Sequence, residues 1–172
     1  MAKLIGKGTF TRAYLLENNR VLLRSNDPIK ECMAHGWFPE SRLFPVVDQV
    51  DDGVYEMEYF PRTSSLKNAL APREYALYQL LKTFADVTHT RACHSRDALR
   101  HGILHETISE FSEANGEYAE EFQAIAEAVD ACGNYGTDIG FEISPRNVAV
   151  KDGQLILLDC FFIMSALKAA RK

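Results

Sequence analysis

The sequence lacks the features of a secreted, membrane-spanning or nucleic-acid-binding protein. Its four cysteines are scattered, no Cys-x-x-Cys occurs, and no apolar N-terminal stretch of the secretory type is present. No segment approaches the roughly 18 consecutive apolar residues of a membrane span, since Asp159 interrupts the apolar stretch 155–167. The net charge of −5 gives no indication of nucleic-acid binding. We therefore expect a cytoplasmic protein without direct nucleic-acid or membrane partners.

The composition is that of a folded globular protein with an uneven charge distribution. Apolar residues make up 47 % and charged residues 25 % of 172 positions, which suits one domain or two small lobes. Residues 1–30 carry six basic and two acidic side chains, whereas residues 101–145 carry ten acidic and no Lys or Arg. An acidic run of this kind is typical of solvated helix faces. The alternative is a surface that binds a basic partner protein.

The N-terminal part of the chain is predicted to be rich in β-strands. Residues 3–24 alternate in polarity and indicate a glycine loop with antiparallel strands, and residues 43–50 and 54–60 indicate two more. The turn 51–53 joins the second pair. Between residue 24 and residue 43, Asp27 and Pro28 predict the start of a short helix that reaches Trp37.

The rest of the chain is predicted to be mainly helical. Helical spacing of apolar residues indicates helices near 73–87, 96–112 and 117–131. A closing hairpin (148–150 with 155–158) and a short helical tail that runs to Lys172 follow. The sequence thus predicts an α+β fold with a β-rich N-terminal lobe (1–61), which holds five antiparallel strands and one short helix, and a helical C-terminal lobe (62–172).

A glycine-rich run near the N-terminus is the first candidate for chemistry. Gly6, Lys7, Gly8, Thr9 and Phe10 precede a strand rather than a helix. A dinucleotide-binding loop would open a helix, whereas a kinase-type phosphate loop joins two antiparallel strands. The strand pattern favours the kinase-type loop, and a plain hairpin turn containing glycine is the alternative.

A second candidate lies at the C-terminal hairpin. Asn147 precedes the hairpin, Asp159 follows it, and both lie within the segment 138–161. Amide and carboxylate oxygens are hard ligands that suit Mg²⁺. Residues of these types are also common as caps of turns, which is the structural alternative.

Taken in order, these segments and the strand Glu56-Met57-Glu58-Tyr59-Phe60 resemble the protein-kinase-like superfamily, and the small protein kinases of bacteriophages most of all. The resemblance implies a two-lobe fold that binds ATP and magnesium. It implies that the glycine run lies over the phosphates and that Asn147 and Asp159 bind Mg²⁺. It further implies that Met57 gates the back of the adenine pocket and that Glu58 and Tyr59 form the hinge.

Three departures from the family pattern affect the expected activity. Arg24 stands where the family has a phosphate-binding lysine, with Glu31 as its expected partner on the helix, and Glu142 stands in place of the catalytic aspartate. No Ala-Pro-Glu motif follows Asp159, so the C-terminal lobe is predicted to be reduced.

The resemblance implies two functions. The first is transfer of the ATP γ-phosphoryl group to a Ser or Thr hydroxyl of a protein. The alternative is a catalytically impaired pseudokinase that binds a host or regulatory protein, for which the acidic segment 101–145 is a candidate surface.

The histidines suggest a rival site. His101 and His105 are four residues apart and share one face of a predicted helix, a spacing that can chelate Zn²⁺. The Glu of a His-Glu-x-x-His motif is absent, because Gly102 follows His101. The sequence alone favours solvated or capping histidines.

Overall fold

The N-terminal part of the protein is one antiparallel sheet. A computed structural model describes residues 2–94 and 100–170, and the sheet contains β1 (Lys3–Lys7), β2 (Thr11–Leu15), β3 (Arg20–Ser25), β4 (Val47–Asp51) and β5 (Val54–Glu58). The strand order is β1-β2-β3-β5-β4. In β3 the odd-numbered residues Val21, Leu23 and Ser25 are buried, whereas Arg24 is exposed. One face of the sheet therefore joins the hydrophobic core.

Helix α1 (Pro28–Ala34) packs on that buried face. The Asp27 carboxylate accepts a hydrogen bond from the Ile29 amide at 3.0 Å and caps the helix, while Pro28 occupies its first turn. The helix ends three residues earlier than the sequence predicted, because Gly36 adopts a φ of 71°. The cap fixes which α1 side chains reach the core, and these include Ile29, Cys32 and Met33.

The remainder of the described chain is mainly helical and ends in two small sheets. Its helices are α2 (Leu66–Ala69), α3 (Pro72–His94), α4 (Arg100–Ala114), α5 (Ala119–Cys132) and α6 (Met164–Ala170). Strand β6 (Ile139–Phe141) pairs with β9 (Phe161–Ile163), and β7 (Val148–Lys151) pairs with β8 (Gln154–Leu157), both antiparallel. Phe84 of α3 and Phe122 of α5 are fully buried and meet edge to face.

A buried ion-pair cluster joins α3 to α5 and to β8. Glu74 and Glu121, which are 6 % exposed each, bind Arg42, and Glu121 also binds Arg73 at 2.7 Å. Glu74 also accepts a hydrogen bond from the Leu155 amide at 3.0 Å. Burial opposes ionisation of Glu121, but the hydrogen bonds from Arg73 and Arg42 outweigh burial and lower its pKa. The cluster thereby holds the C-terminal hairpin against the helices.

The α+β class and the five-stranded antiparallel sheet are confirmed, with differences at element boundaries. The strand predicted from residue 43 begins only at Val47, because the buried Pro45 interrupts it. The Leu43 carbonyl does not join this sheet but accepts a hydrogen bond from the Leu157 amide at 2.7 Å. The pairing of β6 with β9 was not predicted. The helix predicted at 73–87 runs on to His94, and the first residues of the one predicted at 96–112 lie outside the described residues, as do the last two of the tail.

Within residues 2–94 and 100–170, no helix combines the length and apolar character required to cross a membrane.

Candidate functional site

The C-terminal hairpin brings Glu142, Asn147 and Asp159 together. The Asn147 carbonyl accepts hydrogen bonds from the amides of Leu158 at 2.8 Å and Asp159 at 3.3 Å, and the Glu142 amide donates to the Cys160 carbonyl at 2.9 Å. The side-chain amide of Asn147 donates to Oε1 of Glu142 at 3.0 Å. Because the Asn147 nitrogen is used in this bond, its amide oxygen is available to a metal ion. The hairpin therefore gathers the three oxygen-bearing side chains that the sequence singled out.

Lys30 of α1 supplies a positive charge to this group. Its ammonium donates to the Leu158 carbonyl at 2.6 Å and lies 3.3 Å from Oδ1 of Asp159. The Lys30 side chain is 6 % exposed, whereas that of Asp159 is 55 % exposed. An ammonium has three N–H donors, and within the described residues two of them face Leu158 and Asp159. The buried lysine thus presents a charge, and one further donor, at a partly open carboxylate.

Asp27 completes the charged group from the other side of Lys30. Burial raises the pKa of Asp27 to about 6, while the charge of Lys30 opposes the rise and that of Asp159 adds to it. The Ile29 amide, which donates to Asp27, also opposes it. Asp27 consequently gains or loses its proton within the physiological range of pH.

The glycine turn connects to Asp27 through a short hydrogen-bonded series. The Gly8 amide donates to the Thr11 carbonyl at 2.8 Å and closes the turn between β1 and β2. The Thr11 and Ser25 hydroxyls lie 2.6 Å apart, and the Ser25 hydroxyl accepts the Asp27 amide at 3.1 Å. The turn is therefore linked, through Thr11 and Ser25, to the end of the sheet from which the chain passes to Asp27 and α1.

The residues of the glycine run are open to solvent rather than packed. Gly6 and Lys7 are the last residues of β1, and Lys7, Gly8 and Thr9 are exposed, while Phe10 is half-buried. A Cβ built on Gly6 or Gly8 would meet its nearest atom at 3.7 Å, an ordinary contact. Neither packing nor a positive φ requires glycine at these two positions. The function that the sequence analysis predicts for these glycines is to let a ligand approach the backbone closely.

Arg24 does not reach the face of the sheet that carries Met57. The register pairs Val21 with Met57, Leu23 with Tyr55 and Arg24 with Val54, and directly paired residues project to the same side. Val21, Leu23, Tyr55 and Met57 all belong to the core, so Arg24 lies on the opposite, exposed face. The expected pocket with both Arg24 and Met57 on its walls is therefore not formed.

Glu31 does not pair with Arg24 either. No ion pair joins the two among the residues described, and Glu31 instead borders a polar depression with Asp27, Asp52 and Tyr55. A helix turns by about 100° per residue, so Glu31 lies about 200° around α1 from the buried Ile29, and Lys30 lies only about 100° from it. The phase of α1 thus turns Lys30, rather than Glu31, toward Leu158 and Asp159.

The predicted hinge is attached to the C-terminal hairpin. Met57 is buried at 8 % exposure, Tyr59 packs against the core, and Glu58 is exposed at the end of β5. The Lys151 ammonium lies 2.6 Å from Oε2 of Glu58 and joins β7 to β5. This contact spans the proposed boundary between the two lobes. The adenine-binding roles of the three residues stay predictions.

The acidic segment 101–145 does not form one uniform surface. Glu121 is buried with Arg42 and Arg73, Glu110 pairs with Arg91, and Asp138 accepts hydrogen bonds from Ser165 at the start of α6. Exposed carboxylates remain along α4 and α5, at Glu106, Glu113, Glu120 and Glu127. The exposed carboxylates, rather than the whole segment, fit the expected surface for a basic partner.

Sequence reasoning did not assign Lys30 or the hydroxyls of Thr11 and Ser25 to the site, and it gave Asp27 only the role of helix cap. A signal for Lys30 was present, because Asp27 and Pro28 set the start of α1 and the apolar Ile29, Cys32 and Met33 define its buried side. The contact of Lys30 with Leu158 and Asp159 joins residues 128 or more positions apart. Local patterns do not predict a contact of that range.

Comparison with known proteins gave no match for this chain among protein-family models, curated proteins or solved structures.

Proposed function

We propose that this protein binds Mg·ATP between the glycine turn and the C-terminal hairpin and transfers the γ-phosphoryl group to a Ser or Thr hydroxyl of a protein. The observation that carries the proposal is the buried Lys30 ammonium, which lies 3.3 Å from Asp159 of the hairpin that also holds the hydrogen-bonded pair Asn147 and Glu142. A cation, oxygen ligands and an open glycine backbone are the parts that phosphoryl transfer requires.

The donor set fits a magnesium ion. Asp159 offers a half-exposed carboxylate, and the amide oxygen of Asn147 is available because its nitrogen is bound to Glu142. Asp159 and Asn147 would hold the ion, which would supply positive charge against the negative charge that develops during transfer. Lys30, rather than Arg24, would hold the phosphates, and Glu142 would orient the substrate hydroxyl.

A second candidate function is that of a pseudokinase that regulates a protein partner. In its favour, the two expected metal ligands already have partners within the chain, since Lys30 faces Asp159 and Glu142 binds Asn147. Glu142 is also one methylene longer than an aspartate, and a displacement of about 1 Å can cost about 10²-fold in rate. The exposed carboxylates of α4 and α5 would then be a docking surface for a basic partner.

The nucleotide site is tested by the thermal midpoint with and without millimolar ATP and Mg²⁺. A ligand at about 100 times its Kd adds about 2.7 kcal/mol of stability. We expect a metal-dependent rise that is lost in Asp159→Asn. The matched control is Asp152→Asn in the β7–β8 turn, because Asp152 has a φ of 51°, which asparagine tolerates well. No rise in the wild type, or equal loss in both variants, would contradict the site.

Catalysis is tested separately by ADP formation with a mixed protein substrate. The enzyme proposal expects turnover that falls by about 10² or more in Glu142→Gln while the thermal shift with Mg·ATP persists. A nucleotide-dependent shift without turnover would reject the enzyme and support the pseudokinase.

A further inference from the structure

A second cluster of metal-ligating side chains lies in the helical part of the protein, away from the proposed nucleotide site. His101 and His105 project from the first turns of α4, and Asp130 projects from the last turn of α5. Oδ1 of Asp130 lies 2.9 Å from Nε2 of His105 and 3.3 Å from Nε2 of His101. One carboxylate oxygen thus meets both imidazoles.

The spacing of these atoms is that of ligands around one small ion. Zinc bonds of about 2.0–2.2 Å in tetrahedral geometry place neighbouring ligand atoms about 3.3 Å apart. The three ligand atoms all lie within 4.8 Å of one another. The two histidine rings, with centroids 4.6 Å apart, are held on one helix face by the four-residue spacing. Small movements of the side chains suffice to close the cluster around an ion.

The surroundings favour a cation with an open coordination position. Among the described residues, the ion pairs of Asp130 are with His101 and His105, so no Lys or Arg neutralises its charge there. The Asp130 side chain is 63 % exposed, and each histidine is 32 % exposed. Solvent can therefore complete the coordination.

We propose that His101, His105 and Asp130 bind one Zn²⁺ ion, with water as the fourth ligand, and that the ion joins the start of α4 to the end of α5. Two imidazoles and one carboxylate are a ligand set that suits zinc. The alternative for the same geometry is a metal-free hydrogen-bonded group in which Asp130 accepts from both histidines.

The test is calorimetric titration of the chelator-treated full-length protein with ZnCl₂ near neutral pH. We expect one ion per chain in the wild type, with affinity reduced roughly tenfold or more in His101→Gln, His105→Gln and Asp130→Asn, since even changes outside the ligands cost about 10- to 100-fold. Glutamine retains an amide donor toward Asp130 but lacks the imidazole. Circular dichroism of the metal-free variants checks folding, and Asp130→Asn, which keeps the side-chain shape, decides the test if a histidine variant fails to fold.

A matched control uses a pair of potential ligands in α3, one histidine and one cysteine, that also has four-residue spacing. His89 and Cys93 of α3 lie 3.6 Å apart from Nε2 to Sγ, and Cys93 is exposed. Cys93→Ser is expected to keep the zinc affinity of the wild type. Absence of zinc binding in the wild type, or binding that persists in the His101→Gln/His105→Gln double variant, would overturn the proposal. Loss of binding in Cys93→Ser would overturn it too, by assigning the ion to α3.

Discussion

The glycine turn and the C-terminal hairpin carry the two halves of the proposed nucleotide site, and the structure treats them differently. The turn is exposed at Lys7, Gly8 and Thr9, and its backbone hydrogen bonds are those from Gly8 to Thr11 and from Asn26 to Phe10. The hairpin is held by backbone hydrogen bonds from the amides of Leu158, Asp159 and Glu142. In addition, the buried carboxylate of Glu74 in α3 accepts a hydrogen bond from β8. The metal-ligand half is therefore built into the folded state, whereas the loop half is left free to adapt to a ligand.

The same contrast applies to the charges. The polar side chains of the hairpin, Glu142, Asn147 and Asp159, lie within 20 residues of one another in the sequence. The cation, Lys30, comes from α1 near the other end of the chain. Its identity depends on the rotational phase of one short helix. The four predictions that follow test this contrast, and they run from the largest expected effect to the smallest.

The first prediction concerns buried against exposed ion pairs. Glu74→Ala removes the acceptor of the Leu155 amide and one of the two buried carboxylates that bind Arg42, and breaking a buried pair costs about 3–5 kcal/mol. Urea denaturation should show this loss. Glu58→Ala removes the ion pair with Lys151, which has a comparable distance. Both of these side chains are about half exposed, so we expect a change in the free energy of unfolding that is within experimental error. Equal losses in the two variants would contradict the assignment of the hairpin's stability to burial.

The second prediction is a pH dependence caused by Asp27. Because its pKa rises from 3.8 to about 6 on folding, the native state holds the proton more tightly than the unfolded chain. Stability should therefore fall as the pH rises from about 4 to about 6, by about 3 kcal/mol at most, and level off above. Asp27→Asn retains a helix cap but has no titrating carboxyl group, so it should remove this dependence of stability on pH.

Urea denaturation of the wild type and Asp27→Asn at each pH isolates the contribution of this carboxyl group. A difference between the two proteins that does not change with pH would show that Asp27 titrates at its ordinary value.

The third prediction separates glycines required by packing from those available to a ligand. A Cβ on Gly140 would lie 2.2 Å from the Phe162 ring, so Gly140→Ala forces that ring to move and should cost about 1–3 kcal/mol. Gly8→Ala meets no atom closer than 3.7 Å and should leave the thermal midpoint unchanged while weakening Mg·ATP binding. Unchanged nucleotide affinity in Gly8→Ala would remove the turn from the site.

Much of this architecture follows from local sequence patterns. The cap at Asp27, the turns at Gly53 and at Asp152-Gly153, and the buried stripe of α5 were predictable, because each depends on residues a few positions apart. The meeting of Glu142, Asn147 and Asp159 was predictable for the same reason, since one hairpin separates them.

The remainder depends on contacts that local patterns do not specify. The assignment of Arg24 failed because alternation tells which residues share a face of β3 but not which face turns toward α1. Lys30 was passed over because its partners, Leu158 and Asp159, lie at the other end of the chain. The β6–β9 pairing was missed because its three-residue strands carry too little pattern.

The fourth prediction tests the central claim, that Lys30 and not Arg24 supplies the positive charge of a nucleotide site. The measurement is the calorimetric affinity for Mg·ATP in the wild type, Lys30→Met and Arg24→Met, with folding checked by circular dichroism. Because a hydrogen bond to a charged group contributes about 1.5–3 kcal/mol, Lys30→Met should weaken binding by roughly 10- to 100-fold. Arg24→Met, on the exposed face of β3, should remain close to the wild type. Retained affinity in Lys30→Met with loss in Arg24→Met would contradict the account.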